Sequence, residues 1–376
     1  MMTIHEYEKI YAGDCEHFDE LRKFAEASDF LNLSWKYVQA KNYVGVIRLP
    51  SGFQIEILPK LQAPDDKLRV LVMEMIGTLK EFKWKKFNAA DLSTSKLSLY
   101  EIFIRTYLEM VLELMKRGLK SSYVTREDNL RFFKGKLLVN ENLRRNIAHR
   151  ERFFVSFDEY NLNRPEHRLI KSALLKLRRI TQENKSLASR LLEELDLVEA
   201  STNYRKDFAE ISIDRTNQNY KAVIAWTKIF LGGESFTVFT GKARALALLF
   251  DMNKLFEVYV AEHVQKVFSG RFTVKTQAQE QFLFDEPQIF GLKPDIILEG
   301  DERIILDTKW KFEPTAGDMY QMLAYARRYN ARKIILICPA AEDFYRAADF
   351  EVKIFGVDLF NMNESIKKLL DTVSGS

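Results

Sequence analysis

The sequence predicts an α/β protein with a small α/β/α sandwich in its last third and a mixed α+β region before it. Beyond residue 240 the periodicity follows the order helix, three strands, helix, strand, which is typical of a mixed sheet between helices. The earlier residues mix both periodicities without that order, and Gly232-Gly233 separates the two stretches. Because 376 residues exceed the usual size of one domain, we expect two domains, at 1–240 and 241–376.

The N-terminal region contains a predicted β-hairpin followed by helices and short strands. Two apolar runs within 44–61 flank Pro50-Ser51-Gly52, which favours a turn between two strands. Apolar residues at helical spacing predict helices at 65–82, 98–118, 165–181, 187–198 and 216–231. Strand-like segments lie at 121–125, 131–139 and 152–160.

The C-terminal region contains the elements of the predicted sandwich. Its helices are predicted at about 242–268 and at 317–331. Its strands are predicted at 272–277, 295–300, 303–310, 333–340 and 352–358.

Composition excludes some classes of protein and leaves others open. A net charge of +4 is only mildly basic, which permits nucleic-acid binding without arguing for it. Cys15 and Cys338 are the two cysteines and lie far apart, so we expect neither a zinc site nor a disulfide framework. The N-terminus lacks the apolar core of a signal peptide, and apolar runs such as 334–338 are too short to cross a bilayer. We therefore expect a cytoplasmic protein with no membrane partner.

Two short motifs carry the chemistry of phosphodiester cleavage. Pro294-Asp295 precedes a predicted strand, and Asp307-Thr308-Lys309 ends the next one. Asp307 and Lys309 are two residues apart in a strand, so they project from the same face. Carboxylates suit a hard cation such as Mg²⁺, and a lysine beside them orients or deprotonates water and offsets charge on the phosphate. A structural ion pair between Asp307 and Lys309 is the alternative interpretation.

The flanking helices carry further candidate residues. Glu257 borders the apolar face of the first C-terminal helix, where it is either a site residue or an ordinary solvated glutamate. Gln321 and Tyr325 are four residues apart and share one face of the next helix, where they contact DNA or pack in the core. This arrangement resembles the RecB-like branch of the PD-(D/E)xK nucleases.

A closer resemblance is to the McrC family, the nuclease subunits of the McrBC modified-cytosine restriction system. The similarity is carried by LFDMNKLFEVYV, LKPDIILEGDERIILDTKWK and DMYQMLAYARRY in the C-terminal third. Residues 131–143 and 157–177 are also similar to stretches of that family, although Phe133-Lys134-Gly135 departs from its usual Arg-Gly. The resemblance implies a restriction-endonuclease-like core. In it Asp295, Asp307 and the Thr308 carbonyl would bind Mg²⁺, with Glu257 acting at the edge of the site.

The resemblance also implies partners. Proteins of this family partner McrB, an AAA+ GTPase hexamer, stimulate its GTP hydrolysis and cut double-stranded DNA that contains methylated cytosine. GTP would be bound by the partner, since the P-loop-like string 236–243 lacks its first glycine and the Ser or Thr after the lysine. We expect residues 1–240 to bind this partner.

A basic stretch with interleaved phenylalanines offers one candidate contact surface. It runs from Arg131 to Phe154 and includes Arg144 and Arg145. Such a surface suits nucleic acid or an acidic protein partner, or it is simply solvated; we favour the partner. Two other functions stay open, a free-standing RecB-like DNA repair exonuclease and a non-catalytic adaptor of an AAA+ motor.

Overall fold

The computed structural model describes residues 1–80, 97–215, 217–232, 246–278, 281–339, 343–346 and 350–374. These residues form two compact units. The first unit contains the residues before 81 and after 245, and the second contains residues 97–232. The predicted domain boundary at 240, Gly233, the string 236–243 and the end of the helix predicted at 65–82 lie outside the described residues.

The helices and strands are numbered along the chain. The helices are α1 (Phe18–Glu26), α2 (Asp65–Thr78), α3 (Leu99–Lys116), α4 (Val139–Asn146), α5 (Pro165–Ile180), α6 (Lys185–Glu194), α7 (Tyr204–Glu210), α8 (Tyr220–Gly232), α9 (Met252–Phe268), α10 (Ala316–Tyr329) and α11 (Met362–Ser374). The strands are β1 (Met2–His5), β2 (Lys9–Tyr11), β3 (Leu31–Leu33), β4 (Tyr37–Ala40), β5 (Tyr43–Arg48), β6 (Gln54–Leu58), β7 (Ser122–Leu130), β8 (Lys136–Leu137), β9 (Phe153–Asn161), β10 (Leu246–Asp251), β11 (Thr273–Thr276), β12 (Gln281–Phe284), β13 (Ile289–Leu292), β14 (Ile296–Glu299), β15 (Arg303–Thr308), β16 (Lys333–Cys338), β17 (Asp343–Arg346) and β18 (Glu351–Gly356).

The observed division differs from the predicted domains 1–240 and 241–376, because the first eighty residues belong to the same unit as the C-terminal third. The physical link is a sheet with the strand order β1-β6-β5-β10. In it β10 pairs antiparallel with β5 over six residues, with Leu248 opposite Val46. Gly45 makes the close approach possible, since a Cβ at its φ of +136° would lie 1.8 Å from the Leu248 carbonyl oxygen.

The start of the helix predicted at 242–268 is wrong within the described residues. Residues 246–251 form β10, and α9 begins only at Met252. The apolar run Leu246–Phe250 fits a buried strand as well as a helix, so periodicity alone could not separate the two. The Asp251 side chain accepts a hydrogen bond from the Asn253 N–H at 2.8 Å, which caps the first turn of α9.

The N-terminal hairpin is confirmed. Strands β5 and β6 pair antiparallel, with Ile47 opposite Ile55. The connecting turn is closed by the Leu49 N–H, which donates to the Phe53 carbonyl at 2.8 Å. A smaller sheet with the order β2-β4-β3 was not predicted, because its strands are only three or four residues long.

The C-terminal sheet has the strand order β11-β14-β15-β16-β18-β17. Strands β15, β16 and β18 run parallel, whereas β11, β14 and β17 pair antiparallel. Helix α10 packs on one face, where Met322 and Tyr325 join a core with Ile297 and Ile305. Helix α9 contacts β11 and β15, and α11 packs against α9. The predicted α/β class with its α/β/α core is confirmed, although β12, β13, β17 and α11 were not predicted.

The second unit combines helices α3–α8 with a sheet of order β7-β9-β8. The strand predicted at 131–139 is largely wrong, because only Lys136–Leu137 pair with β9 and Val139 begins α4. Gly135 makes this pairing possible. At its φ of +72° a Cβ would lie 2.3 Å from the Ser156 carbonyl oxygen, so this position requires glycine.

A half-buried lysine of helix α5 ties down a loop of the second unit. The Lys171 ammonium donates to the carbonyls of Leu195, Asp196 and Val198 at 2.5–3.2 Å and so closes the loop after α6. In the described parts of the chain, no helix is both long and apolar enough to cross a bilayer.

Candidate active site

Strand register brings the two motif aspartates together. Ile296 on β14 lies opposite Leu306 on β15, so Asp295 lies opposite Asp307 when the register continues by one residue. Directly opposite residues of an antiparallel pair project from the same face of the sheet. The ladder continues beyond β15, where the Lys309 N–H donates to the Ile337 carbonyl at 2.9 Å. Asp295, Asp307 and Lys309 therefore share one face at the end of the strands, the face on which α10 packs.

Thr308 fixes the carboxylate of Asp295. Its backbone N–H and its hydroxyl both donate to Asp295 Oδ2, at 2.7 and 2.6 Å. One carboxylate oxygen is thereby held, and Oδ1 makes no described protein hydrogen bond. Thr308 was predicted to contribute its carbonyl to a metal, and that role stays a prediction; the structure adds that Thr308 orients Asp295.

Asp307 is the most buried acid of the site and has one close partner. Only 1% of its surface is exposed. Its Oδ2 lies 2.7 Å from Lys309 Nζ but makes no hydrogen bond of good geometry among the described residues. Burial, followed by the charges of Asp295 and Glu257, raises the pKa of Asp307 to about 7 against the opposing effect of Lys309. Burial disfavours the charge on Lys309, but Asp307 and then Asp295 outweigh it, so the pKa of Lys309 is raised.

Glu257 reaches the site from α9. Its pKa is raised by burial and then by the charge of Asp295, so the two carboxylates lie close enough to interact. Gln277 Nε2 donates to Glu257 Oε1 at 2.5 Å, and the Gln277 N–H donates to the Asp295 carbonyl at 2.9 Å. Gln277 thus links Glu257 to Asp295. Sequence reasoning missed it, since a lone glutamine after a strand carries no pattern.

Gln321 and Tyr325 meet each other and the loop before Asp295. Gln321 Nε2 donates to the Tyr325 hydroxyl at 2.7 Å, and that hydroxyl donates to the Lys293 carbonyl at 3.1 Å. Tyr325 is 2% exposed and belongs to the core under α10. Its helix begins at a capping box in which the side chains of Thr315 and Asp318 bond each other's backbone. In this arrangement Tyr325 supports the Pro294-Asp295 loop from the core.

The donor set fits a magnesium ion. The pKa values of Glu257, Asp295 and Asp307 are all raised, first by burial, which a bound divalent cation would reverse. Within the described residues, no three acidic, histidine or cysteine side chains converge into a closed metal-binding group. Mg²⁺ needs only one or two carboxylates, because it keeps several waters and binds substrate phosphate. Asp295 and Asp307 meet that requirement.

Arg144 and Arg145 lie in the second unit, at the end of α4. Arg145 Nε lies 2.8 Å from Glu141, and its guanidinium lies over the Phe154 ring at 4.5 Å from the ring centroid. Arg144 Nη1 lies 3.5 Å from Glu141. Both arginines are exposed, so their charges can meet a partner without rearrangement of a core.

Comparison with known proteins identifies the family. The sequence profile described as McrBC 5-methylcytosine restriction system component matches residues 38–339, which is more than half of the chain. The chain belongs to this family. The membership predicted from the motifs around Asp295 and Asp307 is thereby confirmed, and the chain is a component of the McrBC type. No curated protein sequence matches it significantly.

Two solved structures share the fold of this McrBC component. One is a chain in the refined half-complex from the tetradecameric assembly of Thermococcus gammatolerans McrB AAA+ hexamers with bound McrC. It has a TM-score of 0.77 and 17% identity, covering 99% of this chain and 100% of that one. The other is a chain in the cryo-EM structure of the Thermococcus gammatolerans McrBC complex, with a TM-score of 0.51 and 20% identity over 69% of this chain and 85% of that one. At these identities the likeness establishes the fold alone.

Proposed function

We propose that this McrBC component is the Mg²⁺-dependent endonuclease subunit of a GTP-dependent restriction complex. It cleaves double-stranded DNA containing methylated cytosine and stimulates an McrB-like AAA+ GTPase hexamer. The observation that carries the proposal is the meeting of Asp295, Asp307 and Lys309 on one face of the sheet, in a chain of the McrBC family.

The chemistry assigns a task to each residue. Asp295 and Asp307 would hold Mg²⁺, and Thr308 keeps Asp295 in place for it. When bound, the ion would polarise the scissile phosphate and lower the pKa of water. Lys309 orients that water and offsets charge on the phosphate, since its raised pKa favours the ammonium over a proton-accepting amine. The water oxygen bonds to phosphorus as the bond to O3′ breaks. The water loses one proton to solvent and O3′ takes one, so the products carry a 5′-phosphate and a 3′-hydroxyl.

The second unit supplies a surface suited to a protein partner. Val139, Leu143 and Ile147 are all exposed and follow one another at intervals of four, so they lie along one face of α4 and its C-terminal extension. Phe132 and Phe133 are also exposed in the preceding loop. An exposed apolar stripe beside Arg144 and Arg145 is typical of an interaction site. We therefore place the contact with the GTPase in the second unit, rather than throughout the predicted region 1–240.

Reconstitution tests the function directly. The chain, an McrB-like GTPase, GTP and Mg²⁺ should together cut plasmid DNA carrying methylated cytosine, and should leave unmodified plasmid largely intact. Omission of GTP or addition of EDTA should stop cleavage. Rapid digestion of unmodified DNA by the chain alone would favour the repair exonuclease, and GTPase stimulation with no cleavage by the wild-type chain would favour the adaptor.

Charge reversal tests the partner surface. Arg144→Glu with Arg145→Glu should weaken stimulation of GTP hydrolysis, and the wild-type contact should weaken as salt screens it. The matched control is Arg178→Glu with Arg179→Glu, another exposed arginine pair in the last turn of a helix of the same unit. If both double variants lose the same amount of GTPase stimulation, Arg144 and Arg145 are not specific partner contacts.

A further inference from the structure

A buried acid near the N-terminus contacts the loop that follows the catalytic lysine. Glu6 comes directly after β1, and its N–H continues the pairing with β6 by donating to the Leu58 carbonyl at 3.0 Å. The residue is 1% exposed, although it is a glutamate. Buried carboxylates without a specific task are rare, because burial costs free energy unless partners compensate.

The partners of Glu6 come from two separate parts of the first unit. Trp310 Nε1 donates to both carboxylate oxygens, at 3.2 and 3.1 Å. The Lys60 backbone N–H donates to Oε2 at 3.2 Å. Burial raises the pKa of Glu6 to about 7, against the opposing effect of these donors. The carboxylate is thus the shared acceptor for the buried Trp310 indole and for the backbone N–H of Lys60.

Trp310 connects this acid to two site residues. It follows Lys309 in the chain, and alternation places its side chain on the opposite face of the sheet. There its ring packs on Phe256 of α9, with centroids 5.4 Å apart. Phe256 directly precedes Glu257. The indole of the residue after Lys309 therefore contacts the residue before Glu257.

From this geometry we propose that Glu6 is a positioning residue of the nuclease centre, which fixes the Trp310 indole and thereby sets the end of β15 against α9. Its effect on cleavage rests on the proposed function, whereas its effect on Trp310 does not. The proposal gives the first residues of the chain a role in the C-terminal site. It also makes residues 241–376 alone an incomplete nuclease.

The test compares Glu6→Leu with Glu6→Gln. In Glu6→Gln the amide oxygen at the Oε2 position still accepts from Trp310 and Lys60, so the rate should stay near that of the wild type. In Glu6→Leu both donors lose their acceptor. The kcat for DNA cleavage by the reconstituted complex, measured at saturating Mg²⁺, should fall by about tenfold to a hundredfold. KM for DNA should change little, because misplacement affects the chemical step.

The matched control is Glu56→Leu. Glu56 is another 1%-exposed glutamate of the same sheet, paired with Arg69 at 2.7 Å rather than with the site loop. Both leucine variants should lower thermal stability, but Glu56→Leu should leave the rate per folded molecule unchanged. Equal rates for Glu6→Leu and the wild type, or equal losses in both leucine variants, would overturn the proposal. If Glu6→Leu does not fold, Trp310→Phe replaces it and should show the same selective loss of rate.

Tryptophan fluorescence separates the two proposals. Glu6→Leu should shift the emission that is lost in Trp310→Phe, and Glu6→Gln should shift it less. This readout needs neither DNA nor a partner. If the chain never cleaves DNA but shows this shift, the proposed function is contradicted, whereas the positioning of Trp310 by Glu6 is supported. Unchanged emission in Glu6→Leu would contradict the positioning role itself.

Discussion

Asp307 in the first unit and Asp207 in the second are both buried, and their surroundings act on them in opposite directions. Burial opposes ionisation of Asp207, but Arg168 outweighs it through hydrogen bonds at 2.5 and 3.2 Å and lowers the pKa. The effect of burial on Asp307 is instead reinforced by the negative charges of Asp295 and Glu257, so the pKa of Asp307 is raised. One acid has a matched partner, whereas the other faces further acids and a single lysine.

This difference separates acids that are satisfied within the fold from the acids of the candidate site. Glu101 in the second unit also has its partners within the fold, since its carboxylate accepts hydrogen bonds from Thr181, Gln182 and Asn184 at 2.5–2.8 Å. Such groups are satisfied within the fold and have no capacity left for a ligand. The acids of the candidate site keep that capacity, at a cost to stability, which is typical of active sites.

The largest expected effect is at Asp295. Asp295→Asn should lower cleavage by the reconstituted complex about 10³-fold, since loss of a metal ligand removes several kcal/mol of transition-state stabilisation. The fold should survive, because the substitution also relieves repulsion among the acids. Plasmid cleavage and thermal unfolding check the two statements. Cleavage at the wild-type rate would remove Asp295 from the site.

Lys309→Ala should reduce cleavage by about 10²-fold or more, because a positioned charge on the phosphate is lost. Mg²⁺ binding, measured by calorimetry, should persist, since the ammonium is not a metal ligand. Lys309→Arg should not restore cleavage, because a planar guanidinium differs in shape from a compact ammonium. Full activity of the arginine variant would contradict this role.

Asp207→Asn should lower the free energy of unfolding and leave the rate of DNA cleavage unchanged. Loss of one partner of a buried ion pair costs about 3 kcal/mol of unfolding free energy. The lowered pKa means that this stabilisation is complete above the ordinary pKa of an aspartate and is lost as pH falls through the folded pKa. Urea unfolding at neutral and strongly acidic pH checks the sign. A variant as stable as the wild type at neutral pH would contradict the stabilising role of Asp207 and its contrast with Asp307.

The smallest expected effect is at Glu257. Glu257→Gln should lower cleavage by about tenfold to a hundredfold, as for residues that support a metal site from its edge. Glu262→Gln on the same helix is the control, because that side chain pairs with Lys266 at 2.8 Å. Indistinguishable rates for the two variants would make Glu257 an ordinary helix glutamate.

The sequence predicted much of the fold where the elements are long and periodic. Helices such as α3 and α5 and the strands β14–β16 lie close to their predicted positions. The run at 246–250 failed because only pairing with β5, two hundred residues earlier, makes it a strand. The same pairing explains why the predicted domain boundary at 240 differs from the observed division. Local sequence patterns do not show that the first eighty residues pair with the C-terminal third.

The sequence predicted those residues of the candidate site whose spacing along the strands brings their side chains to one face. Asp307 and Lys309 needed only strand alternation, and Asp295 needed one antiparallel register. Gln277 and Glu6 were not predictable, because each acts through a long-range contact. Glu6 meets Trp310 across 304 positions of the chain, and no local pattern records such a distance.

One experiment tests the central claim most directly. Plasmid cleavage and GTP turnover are measured in the same reaction, for the wild-type chain and for Asp307→Ala, each with an McrB-like GTPase and Mg²⁺. We expect Asp307→Ala to lose cleavage and to stimulate GTP hydrolysis as the wild type does, because the acid lies in the first unit and the proposed partner surface in the second. Cleavage by Asp307→Ala at the wild-type rate, or persistence of wild-type cleavage in EDTA, would contradict the account.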